Sequence, residues 1–266
     1  MTMADLGELR LHYQRHGTPG GPPLVLAHSL GADLRLWDAV LPLLPQGLDI
    51  VRVDMRGHGL SDAPPGPYAM GALVRDLERV MDHLNLRDAV LVGVSIGGMI
   101  AQGLAVKRLD LLRGLVLSNT GAKIGTRDLW MDRVALLRAQ GFAAIIDGIL
   151  ERTFPAAFRD SAEGAKWRNL FMRNDVDGYA ACAEAIAGTD FYATTATLRL
   201  PVLGIAGTED GSTPPDLVRE TLDLIPGSRF ELIRNAGHLP CVDQPEAYAS
   251  HLTQFLAEIG HIPDAV

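Results

Sequence analysis

The chain has 266 residues, of which 47% are hydrophobic and 21% are charged. That length and composition allow one large core, and single α/β domains of this size are ordinary. A formal net charge of -8 and the lack of any basic tract argue against a nucleic-acid partner or an anionic membrane surface.

The cysteines and the N-terminal residues indicate the cellular compartment in which the protein is expected. Cys182 and Cys241 form neither a disulfide framework nor a Cys-x-x-Cys metal pattern, which is typical of proteins in a reducing cytosol. Residues 1–10 lack the basic start, apolar run and cleavage-like site of an export signal. We therefore expect a cytoplasmic protein with no membrane partner, and the sequence leaves open whether it forms a homo-oligomer.

Short apolar runs and helical segments alternate through the first part of the chain. Alternating polarity over residues 9–16 predicts an edge strand, and the continuous apolar run at residues 24–27 predicts a strand covered on both faces. A helix is expected over residues 36–41, and residues 49–53 predict the next strand. Apolar residues at helical spacing predict a helix over residues 70–84.

From residue 123 to residue 191 the pattern changes to helix formers without any strand-like run. Residues 123–191 therefore predict a helical insertion, here called the cap, within a core domain made of residues 1–122 and 192–266. Strands return at residues 201–206 and 229–233, each followed by a helical segment. Strands alternating with helices predict an α/β fold with a mostly parallel, doubly covered sheet, whose ligand site lies beyond the carboxyl ends of its strands.

The most informative stretch is the Gly-x-Ser-x-Gly of residues 93–97, with Ser95 at its centre. The motif alone is weak evidence, but here an apolar strand leads into it and a helix rich in small residues leaves it. That is the setting of a nucleophile elbow, which exposes a serine hydroxyl on a strained turn. Gly93 and Gly97 would let the strand and helix backbones approach where a Cβ would clash. The alternative is a glycine-rich connection whose serine only caps the helix.

Five stretches at or after the ends of predicted strands combine glycine with serine, histidine or aspartate. They are residues 26–31, 54–62, 92–98, 207–210 and 235–238. On these stretches the chain resembles the α/β-hydrolase fold family along nearly its whole length. More narrowly, it is similar to the 3-oxoadipate enol-lactone hydrolases of the bacterial protocatechuate/β-ketoadipate pathway, in residues 93–102, 117–126 and 177–182.

The resemblance implies an activity and a substrate. It implies a serine esterase that opens the lactone ester of 3-oxoadipate enol-lactone to give 3-oxoadipate, in the catabolism of aromatic compounds. The expected partner is therefore a small anionic lactone. No metal or organic cofactor is needed for this chemistry, and the sequence offers no cluster of metal ligands.

A serine hydroxyl is a poor nucleophile until a neighbouring base removes its proton. Ser95, Asp210 and His238 occur in the order nucleophile, acid, base that this fold uses, and each follows a predicted strand. We predict that these three residues form the catalytic triad. Glu209 competes with its neighbour Asp210 for the role of the acid.

Backbone amides are expected to hold the negative oxygen that forms during attack. We assign this oxyanion hole to Ile96, at the start of the helix, and to Leu30, in the loop after residues 24–27. His28 is interpreted as shaping that loop and His58 as structural, while Ser29 stands where many relatives have glycine. The other histidines, on predicted surface or terminal segments, are expected to have no role: His12, His16, His83, His251 and His261.

The implied substrate carries a carboxylate although the protein is anionic overall, so a local cation is expected in the pocket. Trp130 and Arg133, three residues apart in the cap, would share one helix face. We predict that Arg133 pairs with the substrate carboxylate and that Trp130 forms a pocket wall. Tyr179 and Cys182 are further candidates for lining the pocket. The alternative is a solvated Arg133 beside a tryptophan of the core.

The same triad serves several chemistries, so it does not define the substrate. A general carboxylesterase, a cofactor-free perhydrolase and a hydrolase of C–C bonds remain alternatives. Haloalkane dehalogenation is disfavoured, because it needs a carboxylate at the elbow, where this chain has Ser95. A receptor module that binds a hormone or signal is a rival of another class, and the complete set of Ser95, Asp210 and His238 argues against it.

Overall fold

A computed structural model describes residues 2–262 of the chain. The strands are β1 (Thr2–Asp5), β2 (Arg10–Gly17), β3 (Pro23–Ala27), β4 (Asp49–Val53), β5 (Ala89–Val94), β6 (Leu112–Ser118), β7 (Val202–Gly207) and β8 (Arg229–Ile233). The helices are α1 (Met70–His83), α2 (Ile96–Lys107), α3 (Arg127–Gln140), α4 (Ile146–Thr153), α5 (Ala156–Arg159), α6 (Ala162–Phe171), α7 (Val176–Ala187), α8 (Tyr192–Thr195), α9 (Pro215–Asp223), α10 (Pro240–Asp243) and α11 (Pro245–Glu258).

All eight strands of the described range form one sheet, in the order β1-β2-β4-β3-β5-β6-β7-β8. The pairs β1–β2 and β2–β4 are antiparallel, and the other neighbours run parallel. Every residue of β4, β5 and β7 is buried, because helices cover both faces of the sheet. The predicted fold class, an α/β fold with a mostly parallel and doubly covered sheet, is confirmed.

The segment between β6 and β7 has helices and loops and no strand. It contains α3 to α8, and α3 packs along α7. The carboxyl ends of β3, β5, β6, β7 and β8 lie at the same edge of the sheet, below these helices. A site at that edge is therefore built from loops of the sheet on one side and from helices on the other. The division into a core of residues 1–122 and 192–266 and a cap of residues 123–191 stays a prediction.

The N-terminal part of the sheet differs from the sequence prediction in two ways. The strand predicted at an edge is β2, and it is paired on both sides, because the four-residue β1 adds to its outer side. His12 on β2 is consequently buried, and its Nδ1 lies 2.7 Å from Oδ2 of Asp54. His261 is also buried, so two histidines expected on the surface are internal. Short 3-10 turns at Leu34–Trp37 and Leu41–Leu43 replace the helix expected over residues 36–41.

Candidate active site

Ser95 occupies a sharp turn between the end of β5 and the start of α2. Its backbone has φ 57° and ψ -119°, a conformation that non-glycine residues rarely adopt and that stores strain. A Cβ on Gly93 would overlap the carbonyl oxygen of Gly97, and a Cβ on Gly97 would overlap that of Ala27. Both glycines are therefore required by the close approach of three backbone segments, which leaves the serine at the corner.

Asp210 and His238 meet at the same sheet edge, from the loops after β7 and β8. Nδ1 of His238 lies 2.9 Å from Oδ2 of Asp210. The same carboxylate oxygen accepts hydrogen bonds from the hydroxyl of Thr213 at 2.7 Å and from Nδ2 of Asn119 at 2.8 Å. Its other oxygen accepts the amides of Ser212 and Thr213. The structure thus brings Asp210 to His238, whereas the competing residue Glu209 is exposed.

The surroundings of Asp210 keep its carboxyl group ionised. Burial by itself would raise its pKa, but the charge of His238 and hydrogen bonds from His238, Asn119 and Thr213 outweigh burial and lower the pKa below its ordinary value. An ionised carboxylate on Nδ1 holds the imidazole with Nε2 unprotonated and can stabilise the imidazolium that forms during catalysis. The pair can therefore serve as a general base and its orienting acid.

His238 and Ser95 line one cavity of about 260 Å³. Their side chains are not hydrogen-bonded to each other in the described structure. Such contacts are often long before substrate binds and shorten in the reacting complex. The loop that carries His238 is held from the helical side, because its amide donates to the carbonyl of Thr153 at 2.7 Å. A Cβ on Gly237 would overlap that same carbonyl, so the loop and α4 are in close contact.

Two backbone amides beside Ser95 are available to an oxyanion. Ile96 is the first residue of α2, and Leu30 lies in the loop after β3 and lines the cavity. Neither amide donates to another group within residues 2–262, whereas buried amides normally have a partner. The assignment of Leu30 and Ile96 to an oxyanion hole stays a prediction, and the geometry is compatible with it.

Two buried histidines hold the loop that carries Leu30. Nε2 of His58 accepts the amide of Gly31 at 2.9 Å, and Nε2 of His28 accepts the amide of Met55 at 2.9 Å. Both rings must therefore carry their proton on Nδ1 and be neutral. Burial lowers the pKa of both rings, and for His58 burial together with the charge of the nearby His28 lowers the pKa to about 3. These rings act as fixed hydrogen-bond acceptors.

The cavity lies between Ser95 and the helices that separate β6 from β7. It is lined by Ser29, Leu30, Ser95, Ile124, Gly125, Leu129, Trp130, Arg133, Ile149, Arg152, Thr153, Phe171, Tyr179, Gly211, Ser212 and His238. Three of the four predicted pocket residues are among them: Trp130, Arg133 and Tyr179. The guanidinium carbon of Arg133 lies 4.7 Å from the ring centre of Trp130, and the indole N–H donates to the carbonyl of Ile124. The pocket wall is thus a stacked pair with one positive charge.

Cys182 does not line the cavity, so that prediction is wrong. It is fully buried, with Sγ 3.6 Å from the carbonyl oxygen of Arg56. The reason is the rotation of α7. Gly178 and Cys182, four residues apart, face the loop of residues 54–62, where a Cβ on Gly178 would come 2.6 Å from Cα of Gly57. Tyr179, the residue after Gly178, faces the cavity instead.

Among the residues not identified from the sequence, three bear directly on the charges of the site. Asn119 and Thr213 bind Asp210, and Arg152 adds a second positive charge to the cavity. Asn119 follows directly after β6, the strand beside β5, and that position is a signal that could have found it. Thr213 and Arg152 had no such signal, because their roles depend on a loop conformation and on the orientation of α4.

Within residues 2–262, no three His, Cys, Asp or Glu side chains come together in a group that could hold a metal ion. In the same range no helix has the length and apolar character needed to cross a bilayer.

Known proteins match this chain along nearly its whole length. A family model described as alpha/beta hydrolase fold matches residues 22–245. The 3-oxoadipate enol-lactonase 2 of Acinetobacter baylyi is 32% identical, over 91% of this chain and 91% of that protein. The solved enol-lactonase of Burkholderia xenovorans LB400 is 32% identical with a TM-score of 0.93, covering 96% of this chain and 100% of its own.

A third relative is a thermophilic esterase of Thermogutta terrifontis, solved with malate bound. It is 29% identical with a TM-score of 0.89, covering 96% of each chain. The resemblance predicted from the sequence is confirmed by these matches. Together with the eight-stranded sheet and the elbow at Ser95, they show that the chain belongs to the α/β-hydrolase fold family.

Proposed function

We propose that this protein is a serine ester hydrolase that opens the lactone of 3-oxoadipate enol-lactone to give 3-oxoadipate. The observation that carries the proposal is one cavity lined by Ser95, His238 and Arg133. A nucleophile, a base and a cation in one cavity suit a small ester with a carboxylate. Relatives named as enol-lactonases, 32% and 29% identical, support the same substrate.

In the proposed mechanism Ser95 attacks the lactone carbonyl while His238 takes its proton. Asp210 holds the imidazole and stabilises its charged form, through the 2.9 Å contact described above. The amides of Ile96 and Leu30 bind the oxyanion, and each such donor contributes about 3 kcal/mol to the transition state. The buried neutral histidines keep the loop of Leu30 in position without adding charge.

Ring opening breaks the bond between the acyl carbon and the ring oxygen. The leaving group is an enolate, which is more stable than an alkoxide and takes its proton from His238. Tautomerisation to the ketone then makes ring opening effectively irreversible. A water molecule, activated by His238, attacks the acyl-serine; its hydroxyl goes to the acyl carbon and its proton returns through His238 to Ser95.

Arg133 is the proposed partner of the substrate carboxylate. Its stacking on Trp130 fixes the guanidinium plane, so less side-chain entropy is lost when a carboxylate binds. The cavity has room for a small lactone, since about 260 Å³ is near the lower end of the range for ligand sites.

The experiment is a direct assay of enol-lactone hydrolysis, with the lactone generated from muconolactone. The wild-type protein is expected to turn it over, and Ser95→Ala is expected to lose at least about a thousandfold in kcat while keeping its fold. Arg133→Ala is then compared with wild type on the anionic lactone and on a neutral aryl ester. If Arg133→Ala lowers kcat/KM by the same factor for both substrates, the proposal that Arg133 recognises the carboxylate is wrong.

The same assay separates the alternatives. A higher kcat/KM for neutral aryl esters than for the enol-lactone would indicate a general carboxylesterase. Activity with peracid formation alone would indicate a perhydrolase. A ligand that binds wild type and Ser95→Ala equally, with no turnover of any ester, would indicate a receptor module.

The pathway and compartment belong to the same proposal. An enzyme acting on 3-oxoadipate enol-lactone takes part in protocatechuate/β-ketoadipate catabolism of aromatic compounds. Cys182 and Cys241 are free thiols and are buried, which suits the reducing cytoplasm that we propose for it.

A further inference from the structure

The active-site cavity contains a second cation, Arg152, at the end of α4. Arg152 and Arg133 both line the cavity, and no aspartate or glutamate is among the described residues that do so. Neither guanidinium forms an ion pair with an acid of residues 2–262. The cavity therefore faces its occupant with two positive charges, although the protein as a whole carries a net charge of -8.

Several other arginines with buried or half-buried side chains are paired with acids. Examples are Arg15 with Asp49, Arg52 with Asp38, and Arg56 with Asp76. Half-buried guanidinium groups without an acid are costly, because desolvation is not repaid by a counter-charge. Such an arrangement is expected where the counter-charge comes from a ligand.

The two cations are close enough to act on each other and on one tyrosine. Burial lowers the pKa of Arg152, and the charge of Arg133 lowers it further. Burial raises the pKa of Tyr179, and both guanidinium groups partly oppose that rise. An anion that contacts both arginines would relieve their repulsion, so the cavity favours ligands that place negative charge beside each guanidinium group.

Arg152 also stands beside the triad, whereas Arg133 stands at the wall of Trp130. The carbonyl of Arg152 accepts the amide of Gly211, next to Asp210, at 3.0 Å. A Cβ on Gly211 would lie 3.0 Å from Cα of Arg152, so the base of this side chain is fixed against the loop of the catalytic acid. The two cations thus enter the cavity from different elements.

We propose that the cavity is a dicarboxylate site, in which Arg133 holds one carboxylate and Arg152 holds the second. This inference rests on the proposed function for its biological meaning, since hydrolysis of a carboxylated lactone converts the ester carbonyl into a second carboxylate. Arg152 then recognises the group that the reaction creates. A consequence is inhibition by dicarboxylates whose length matches the product.

The test uses two unreactive probes, adipate and hexanoate, which have the same six-carbon chain and differ in one carboxylate. Binding to the wild-type protein is measured by calorimetry and by competition in the ester assay. Adipate is expected to bind at least about tenfold more tightly than hexanoate, and its affinity to fall with added salt. Equal affinities for the two probes would overturn the proposal.

Variants of the arginines test which side chain causes the preference for adipate over hexanoate. Arg152→Gln is expected to lower adipate affinity about tenfold and to change hexanoate affinity less than about threefold, because Arg133 still holds one carboxylate. Arg152→Lys keeps the charge and should retain part of the adipate preference. Arg138→Gln is the control: it removes a cation from α3 that pairs with Glu184 outside the cavity, and should change neither affinity.

A purely structural role for Arg152 predicts another pattern. Arg152→Gln and Arg152→Lys would then lower the affinities for adipate and hexanoate by the same factor, and that result would overturn the proposal. The outcome is separable from the proposed function. Adipate binding through Arg152 without any turnover of enol-lactone would refute the substrate assignment alone, and lactone turnover without adipate binding would refute the dicarboxylate site alone.

Discussion

A buried carboxyl group beneath the loop of His238 allows a quantitative test of the structure. Oδ2 of Asp243 accepts the amide of Gly237 at 2.7 Å, while its Oδ1 is buried without a hydrogen-bond partner among the described residues. Burial raises the pKa of this carboxyl group from 3.8 to about 7, and the charges of Glu209 and Asp210 contribute to the rise. Asp243 is therefore expected to take up a proton near neutral pH.

The sign of the effect on stability follows from proton linkage. Between pH 3.8 and about 7 the folded protein keeps the proton of Asp243 and the unfolded chain loses it, so the free energy of unfolding falls as pH rises. The full shift corresponds to about 4 kcal/mol, since one pKa unit is worth about 1.4 kcal/mol. The contribution is complete below pH 3.8 and is lost as pH passes the folded-state value. Asp243→Asn removes this dependence, because the amide is neutral at every pH.

The assay is urea unfolding at about pH 5 and at about pH 8, followed by tryptophan fluorescence. Relative to Asp243→Asn, the wild-type protein should lose about 2–3 kcal/mol between these conditions. Asp223→Asn, at an exposed aspartate at the end of α9, is the matched control and should follow wild type. Parallel pH dependence of wild type and Asp243→Asn would show that the carboxyl group titrates normally and that this reasoning is wrong.

Three further substitutions test the elbow, the acid and the oxyanion loop. Gly93→Ala should destabilise the protein by about 3 kcal/mol or more, because the new Cβ would overlap backbone atoms. Gly71→Ala on α1 is the control, because its Cβ would meet open space. An equal Tm for both variants in thermal melting would contradict the close approach of backbones at the elbow. Asn119→Ala should lower kcat about tenfold and leave KM nearly unchanged, because the variant loses a hydrogen bond to the ionised Asp210. A raised KM with an unchanged kcat in steady-state kinetics would show that Asn119 does not support the acid. His58→Leu should cost about 1–3 kcal/mol in urea unfolding by leaving a buried amide without an acceptor, and unchanged stability would argue against that hydrogen bond.

Short-range patterns in the sequence were sufficient for the fold class and for the candidate elbow. The apolar run of residues 89–92 predicts a strand covered on both faces, and β5 is buried throughout. Gly93 and Gly97 predict a close approach of backbones around Ser95, and the structure contains that approach. The strand pattern and the contact between Gly93 and Gly97 depend on residues close together in sequence, whereas the contact between Gly97 and Ala27 depends on the pairing of β3 with β5.

Contacts between distant residues could not be predicted in the same way. Tyr179 and Cys182 were equivalent candidates in the sequence, and only the rotation of α7 against the loop of residues 54–62 places Tyr179 in the cavity and Cys182 away from it. Arg152 has no motif, and it becomes part of the site because α4 packs against the loop that follows Asp210.

By itself, therefore, the sequence determined the alternation of strands and helices and the polar residues that follow the strands. Both can be predicted from local periodicity and from the need for glycine at a crowded turn. The tertiary structure decided which polar residues share a site: Asn119 contacts Asp210 at the sheet edge, and Arg133 of α3 and Arg152 of α4 line the same cavity. The physical reason is that a side chain's partners depend on how whole helices are rotated and packed, which is a property of the complete core and not of any single segment.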